Sequence, residues 1–195
     1  MRTLILASTS PYRFDLMKRL DISFKAVAPL FEENPEPGVE PALLVKHFAA
    51  FKAKSLREDY PDALIVGSDQ VFVNWRGDII GKPHTFAAAR KQLEEMSGRT
   101  NVFYTGLSLY DSLRNEALTD FTTTEVTFRS LSPEEIDVYL RKEEPFDCAG
   151  SFKIEGLGIA LMEKVTSDDP TALIGLPLIR LTRMLQDMGC PVLSR

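Results

Sequence analysis

Apolar positions in the first third of this chain come in short runs, and each run ends at a small or hydroxyl-bearing residue. Residues 3–7 (TLILA) read as a buried strand that feeds directly into Ser8-Thr9-Ser10-Pro11. Ser10 suits a helix N-cap and Pro11 a first-turn proline. Phe14, Met17 and Leu20 follow at helical spacing, which predicts a helix over 11–20. Residues 23–28 predict a second strand. Pro41 opens a helix with Leu43, Leu44, Phe48 and Phe51 on one side, and the lysines on it, Lys46, Lys52 and Lys54, are expected to face water. The uncharged run Ala63-Leu64-Ile65-Val66 has the pattern of a strand buried on both faces. Gly67-Ser68 interrupts it, Asp69 follows, and Val71-Phe72-Val73 resume it.

Further along, Trp75-Arg76-Gly77-Asp78 reads as a hairpin turn and Ile79-Ile80 as the returning strand. Helices are predicted over 85–96, stopped by Gly98, and over 177–188, stopped by Gly189. Another starts at the capping box Ser132-Pro133-Glu134-Glu135. Long β-rich runs occupy 102–110 and 117–128, a small-residue loop 147–156, and a strand 157–163. Helices and strands alternate at first and a β pair lies in the middle. That order predicts an α/β fold with a central mixed β-sheet flanked by helices. No repeat, low-complexity segment or linker interrupts it, so one domain over 1–195 is expected.

Composition narrows the partners. The 195 residues are 44% apolar and 26% charged, ordinary for a soluble globular protein. A net charge of −5 without a basic run argues against a nucleic-acid partner. A local group of cations can still hold a small anion. Cys148 and Cys190 are too few for a disulfide scaffold, and His47 and His84 lack zinc spacing. No run approaches transmembrane length and the first is shorter than a signal-peptide core, so no membrane partner and a cytoplasmic location are expected. Walker, GxSxG and HExxH patterns are absent. Cys148, with no histidine nearby in sequence, is expected to be an inert buried thiol.

Asp69 carries the sharpest chemical question. A carboxylate between two buried apolar runs needs hydrogen bonds, a metal ion or a cation to compensate it, or else it simply caps a turn. Ser8 and Arg13 at the first helix N-terminus make an anion cradle, although a well-capped helix with a solvent-facing arginine is the plainer reading. Glu32 and Glu33, on an acidic, proline-rich loop, are candidate ligands for a hard metal or are simply solvated. Lys82, between Gly81 and Pro83, is a positioned cation or an ordinary exposed lysine.

Taken in order, LASTSPYR (6–13), Glu32-Glu33, FKA (51–53), GSDQV (67–71), GKP (81–83), SGRT (97–100) and DCAGSFKIEG (147–156) resemble the Maf family of nucleoside triphosphate pyrophosphatases over nearly the whole chain. The resemblance implies a single Maf-like domain with a nucleotide cleft. It also implies hydrolysis of a nucleoside triphosphate between its α and β phosphates with a divalent cation, Mg²⁺ or Mn²⁺. Asp69 matches the general-base position and, with Glu33 favoured over Glu32, the metal site. Ser8, Arg13, Lys52 and Lys82 would hold the phosphates, and homodimers are common in the family. Tyr12, Gln70 and Glu155 depart from the commonest family pattern and resemble the branch acting on 7-methyl-GTP. A carboxylate at Glu155 can accept both donors of the guanine edge, and Tyr12 can stack on the charged ring. Gln70 either bonds the base or orients Glu155. Two other readings remain, a dTTP or UTP pyrophosphatase of the same fold and a non-catalytic nucleotide-binding regulator of septum formation.

Overall fold

Alternation along the apolar runs sets the layers of a seven-stranded mixed sheet in the order β2-β1-β3-β5-β6-β7, with β4 paired to β3 alone. The strands are β1 (Thr3–Ala7), β2 (Lys25–Val27), β3 (Ala63–Val73), β4 (Ile79–Ile80), β5 (Thr100–Asp111), β6 (Glu116–Phe128) and β7 (Met162–Ser167). The helices are α1 (Pro11–Lys18), α2 (Pro41–Lys54), α3 (Phe86–Met96), α4 (Pro133–Glu143) and α5 (Leu178–Asp187). This computed structural model describes residues 2–31 and 38–193, so the calls on Glu32 and Glu33 lie outside the described residues. The chain divides into two compact units. The first comprises Met1–Gln70, Thr105–Thr122 and Asp169–Arg195, and the second Val71–Tyr104 and Thr123–Asp168.

In the first unit β1 pairs in parallel with β2 and with β3, Leu4 opposite Leu64 and Leu6 opposite Val66. Side chains alternate along a strand. Leu4, Leu6, Leu64 and Val66 therefore enter one core with Leu16 and Met17 of α1 and Leu178, Leu181 and Leu185 of α5. Ile5, Ala7, Ala63 and Ile65 enter the other, with Ala53 of α2 and the following Leu56. Both faces of β3 are covered, as its unbroken apolar start predicts.

The second unit packs on aromatics. Phe72 and Phe103 lie 4.4 Å apart between ring centres, and Phe152 meets Phe128 edge-on at 5.3 Å. Here β4 returns antiparallel on β3, Phe72 opposite Ile80, and β7 runs antiparallel to β6. The capping box of α4 forms as read, with Ser132 and Glu135 each bonding the other's backbone N–H. Among the described residues no helix is long and apolar enough to cross a membrane.

Three expectations are corrected. Gly67-Ser68 does not break the strand, since β3 runs through to Val73. Residues 157–161 form a tight helical turn, and β7 begins only at Met162. Gly158 explains this: its N–H donates to the Lys153 carbonyl at 3.0 Å, and a Cβ there would lie 2.2 Å from that oxygen, so the chain curls back. Finally, α2 does not present Leu43 and Phe51 to a core. Both are exposed, and Ala42, Leu44, Val45, Phe48, Ala49, Lys52 and Ala53 are buried instead.

Candidate active site

Strand β3 delivers three consecutive polar residues, and its alternation sends them to different partners. Asp69 shares the odd-numbered side with Ile65 and Gly67, the side that α2 covers. A Cβ on Gly67 would stand 2.1 Å from the Ala49 carbonyl and 2.7 Å from the Ala53 nitrogen, both on α2. Only a residue without a side chain lets helix and strand approach this closely. One helical turn holds Ala49, Lys52 and Ala53 on the same side, and Lys52 Nζ donates to Asp69 Oδ1 at 2.6 Å. Lys52 is 7% exposed and Asp69 6%. The carboxylate is therefore compensated by a cation and does not cap a turn, and the expectation that Lys52 faces water is corrected. Pairing at this distance repays part of the desolvation of both charges, while losing either partner is costly.

On the even-numbered side, Ser68 is fully buried with its hydroxyl 2.8 Å from the carbonyls of both Gly106 and Gly175. The Gly175 carbonyl also accepts from Arg13 Nε at 2.9 Å. Arg13 Nη1 lies 3.5 Å from Ser8 Oγ, and Ser8 Oγ accepts from the Ser10 backbone N–H at 3.2 Å. Ser10 caps α1 through the Arg13 N–H. Arg13 is thus half-buried and tied to the carbonyl that also serves Ser68, the neighbour of Asp69. Tyr12, the preceding residue of α1, is 40% exposed. Gln70 directs its amide nitrogen to Thr105 Oγ1 at 2.9 Å and to the carbonyls of Ala172 and Leu173 at 2.9 and 3.1 Å.

Sequence reasoning missed the segment that collects these contacts. Residues 169–176 hold a short turn at Ala172–Ile174 and end in Gly175, whose φ of 121° is a backbone conformation suited to glycine. Asp169, 1% exposed, anchors the segment by accepting from Thr171 and from the backbone N–H groups of Ile179 and Arg180 at the start of α5. Its working atoms are backbone carbonyls, which leave no mark on side-chain pattern. The hydroxyl and carboxylate pair Thr171 and Asp169 beside Pro170 was the one available signal.

In the second unit, Lys82 is exposed on the loop after β4, and that loop is fixed by a 3.0 Å bond from the His84 N–H to the Phe146 carbonyl. Glu155 is exposed on the turn between Lys153 and Gly158. Residues of α4 fix the backbone of this turn: Glu143 accepts the Leu157 N–H at 2.8 Å, and the Tyr139 hydroxyl accepts the Lys153 N–H at 3.1 Å. Partial loss of water raises the pKa of Glu155. Its own backbone N–H opposes the shift, Glu143 adds to it, and Lys153 also opposes it. Cys148 is half-buried and its thiol is pushed up, first by burial, consistent with an inert role. Lys82 and Glu155 both act on that thiol, in opposite senses.

Among the described residues, no three His, Cys, Asp or Glu side chains gather as a metal cluster. Asp69 does provide a hard oxygen ligand. A small divalent ion bound through one or two carboxylates, with phosphate oxygens and water completing its shell, needs no larger protein cage. The carboxylate chemistry of Asp69 fits such an ion.

The model of a family described as Maf-like protein matches residues 3–188. A protein of Syntrophotalea carbinolica named 7-methyl-GTP pyrophosphatase is 55% identical over 194 residues, covering 100% of this chain and 98% of its own. A Nitrosococcus oceani protein of the same name is 49% identical over 191 residues, covering 98% and 96%. Among solved structures, that of the Staphylococcus aureus Ham1 protein superposes with a TM-score of 0.54 at 11% identity, covering 95% of this chain and 99% of that one. The last likeness is one of fold.

Proposed function

Because this chain belongs to the Maf family, we infer that it is a nucleoside triphosphate pyrophosphatase that converts 7-methyl-GTP and water to 7-methyl-GMP and pyrophosphate. The observation that carries the chemistry is the buried Lys52–Asp69 pair at 2.6 Å. Asp69 is the proposed general base, an anionic oxygen held in one place by a cation and able to take the proton of the attacking water. Lys52 then serves twice, fixing Asp69 and adding positive charge for a polyanionic substrate. Arg13, Ser8 and the first turn of α1 supply further donors for phosphate oxygens. Lys82 is proposed as another phosphate cation.

A divalent cation, Mg²⁺ or Mn²⁺, is proposed to bind through Asp69 and Glu33. When bound, it neutralises phosphate charge and makes the attacking water more acidic. Preference for 7-methyl-GTP is proposed to rest on Tyr12, Gln70 and Glu155. The exposed Tyr12 ring offers a face to a positively charged base, a contact of about 0.5–2 kcal/mol. Glu155 offers two acceptor oxygens to the donor edge of guanine and attracts the methylated ring's charge.

Product identification tests this reading. Incubation with 7-methyl-GTP and Mg²⁺ or Mn²⁺ is expected to give the nucleoside monophosphate and pyrophosphate in equal amounts. Formation of the diphosphate with orthophosphate, or no cleavage with either metal, contradicts it.

A further inference from the structure

Gln70 has been left with two roles, bonding the base or orienting another residue, and its surroundings separate them. Its amide nitrogen carries two hydrogens and faces three acceptors, Thr105 Oγ1, the Ala172 carbonyl and the Leu173 carbonyl, all within 3.1 Å. Thr105 is fully buried, and its hydroxyl proton is committed to the Ala172 carbonyl at 2.9 Å. The threonine oxygen can therefore only accept from Gln70. Turning the amide over would set its oxygen against two carbonyls and an occupied hydroxyl, with no hydrogen between them. The amide is held one way round, and Oε1 is the polar atom that no described residue engages.

We propose that Thr105, with the carbonyls of Ala172 and Leu173, is a positioning residue that fixes the polarity of Gln70, so that Gln70 offers a nucleotide base an acceptor and no donor. The inference rests on the nucleotide reading above and adds a residue and a rule to it. An acceptor of fixed polarity selects for N–H groups on the base edge, which guanine presents at N1 and N2. Methylation at N7 places positive charge on the ring and strengthens those donors, so the same oxygen gains more from 7-methylguanine than from guanine. Adenine presents one donor position at N6 beside an acceptor at N1, so it offers this oxygen one N–H position where guanine offers two. Without Thr105 the amide keeps the Ala172 and Leu173 carbonyls but loses the third acceptor that locks its plane, so Gln70 is held less tightly and selection weakens.

A double-mutant cycle tests the coupling, with steady-state kinetics on 7-methyl-GTP and ATP. Thr105→Val keeps shape and removes the hydroxyl. It is expected to lower kcat/KM for 7-methyl-GTP about tenfold, mainly through KM, as loss of one oriented hydrogen bond does. Thr105→Ser restores the hydroxyl and is expected to restore the KM. In a Gln70→Ala background, Thr105→Val is expected to add less than about twofold, because its effect passes through Gln70. Losses that multiply in the double variant overturn the proposal, as does a uniform fall in kcat on both substrates, which marks a packing role. Should Thr105→Val fail to fold, Thr105→Ser against Thr105→Ala gives the same comparison, and a Ser variant no better than Ala overturns it. A wild type inactive on 7-methyl-GTP removes the nucleotide reading itself, whereas an active wild type with additive variants removes only the role of Thr105.

Discussion

The two compact units hold their polar residues by different means. In the first, side chains themselves are fixed: Lys52 pairs with Asp69, and Ser68, Gln70 and Arg13 each end on a backbone carbonyl of residues 172–175. In the second, Lys82 and Glu155 stay exposed, and what is fixed is the backbone that carries them, by the His84 N–H on one loop and by Glu143 and Tyr139 on the other. Burial with full hydrogen bonding preorganises charge for chemistry, since no solvent need rearrange as the reaction proceeds. An exposed side chain on a fixed turn keeps its rotamers until a ligand arrives.

The contrast breaks first at Asp69. Asp69→Asn retains an oxygen that can accept from Lys52, so the fold is expected to persist with an unchanged circular-dichroism spectrum, at a cost in stability from the lost counter-charge. Loss of the base is expected to lower kcat by about 10²–10⁴-fold. Near-normal turnover of 7-methyl-GTP would remove the assignment.

Next comes the close approach that makes the pair. Gly67→Ala sets a Cβ 2.1 Å from a backbone oxygen of α2, which has no flexible end to move aside. A destabilisation of about 4 kcal/mol or more is expected by urea unfolding, with activity falling as Lys52 moves from Asp69. The matching change in the second unit should be milder. Gly156→Ala sets a Cβ 2.6 Å from the Glu143 carboxylate, a side-chain end that can swing away. A loss of about 1 kcal/mol is expected, with the rise in KM for 7-methyl-GTP larger than any fall in kcat. Equal effects of the two alanines would erase the distinction between the halves. Between these lies selectivity: Tyr12→Arg combined with Glu155→Gln is expected to move the kcat/KM ratio of 7-methyl-GTP to UTP toward UTP by about tenfold. Unchanged selectivity would show that neither residue reads the base.

Much of the scaffold was legible because alternation and capping are local. Ser10 before Pro11 and Ser132 before Pro133 mark helix starts through their own backbone, and the uncharged opening of β3 states that both its faces are covered. The burial of Lys52 against Asp69 was not legible; the family resemblance singled out Lys52 for phosphate, not for this pair. A lysine on a helix is normally solvated, and its burial depends on Gly67, which belongs to another element and, read locally, looks like a strand break. Thr105 looks like any threonine in a β-run, and the turn at Ala172–Ile174 contributes carbonyls that every residue type carries. The strand expected over 157–163 began late because Gly158 folds onto the backbone of Lys153, a contact no apolar pattern encodes.

Pyrophosphate release measured side by side on 7-methyl-GTP, GTP, ATP, UTP and dTTP, with Mg²⁺ or Mn²⁺, tests the central claim most directly. The expected result is turnover with the highest kcat/KM on 7-methyl-GTP. Binding without pyrophosphate release on any of the five, or a preference for UTP or dTTP, would contradict it.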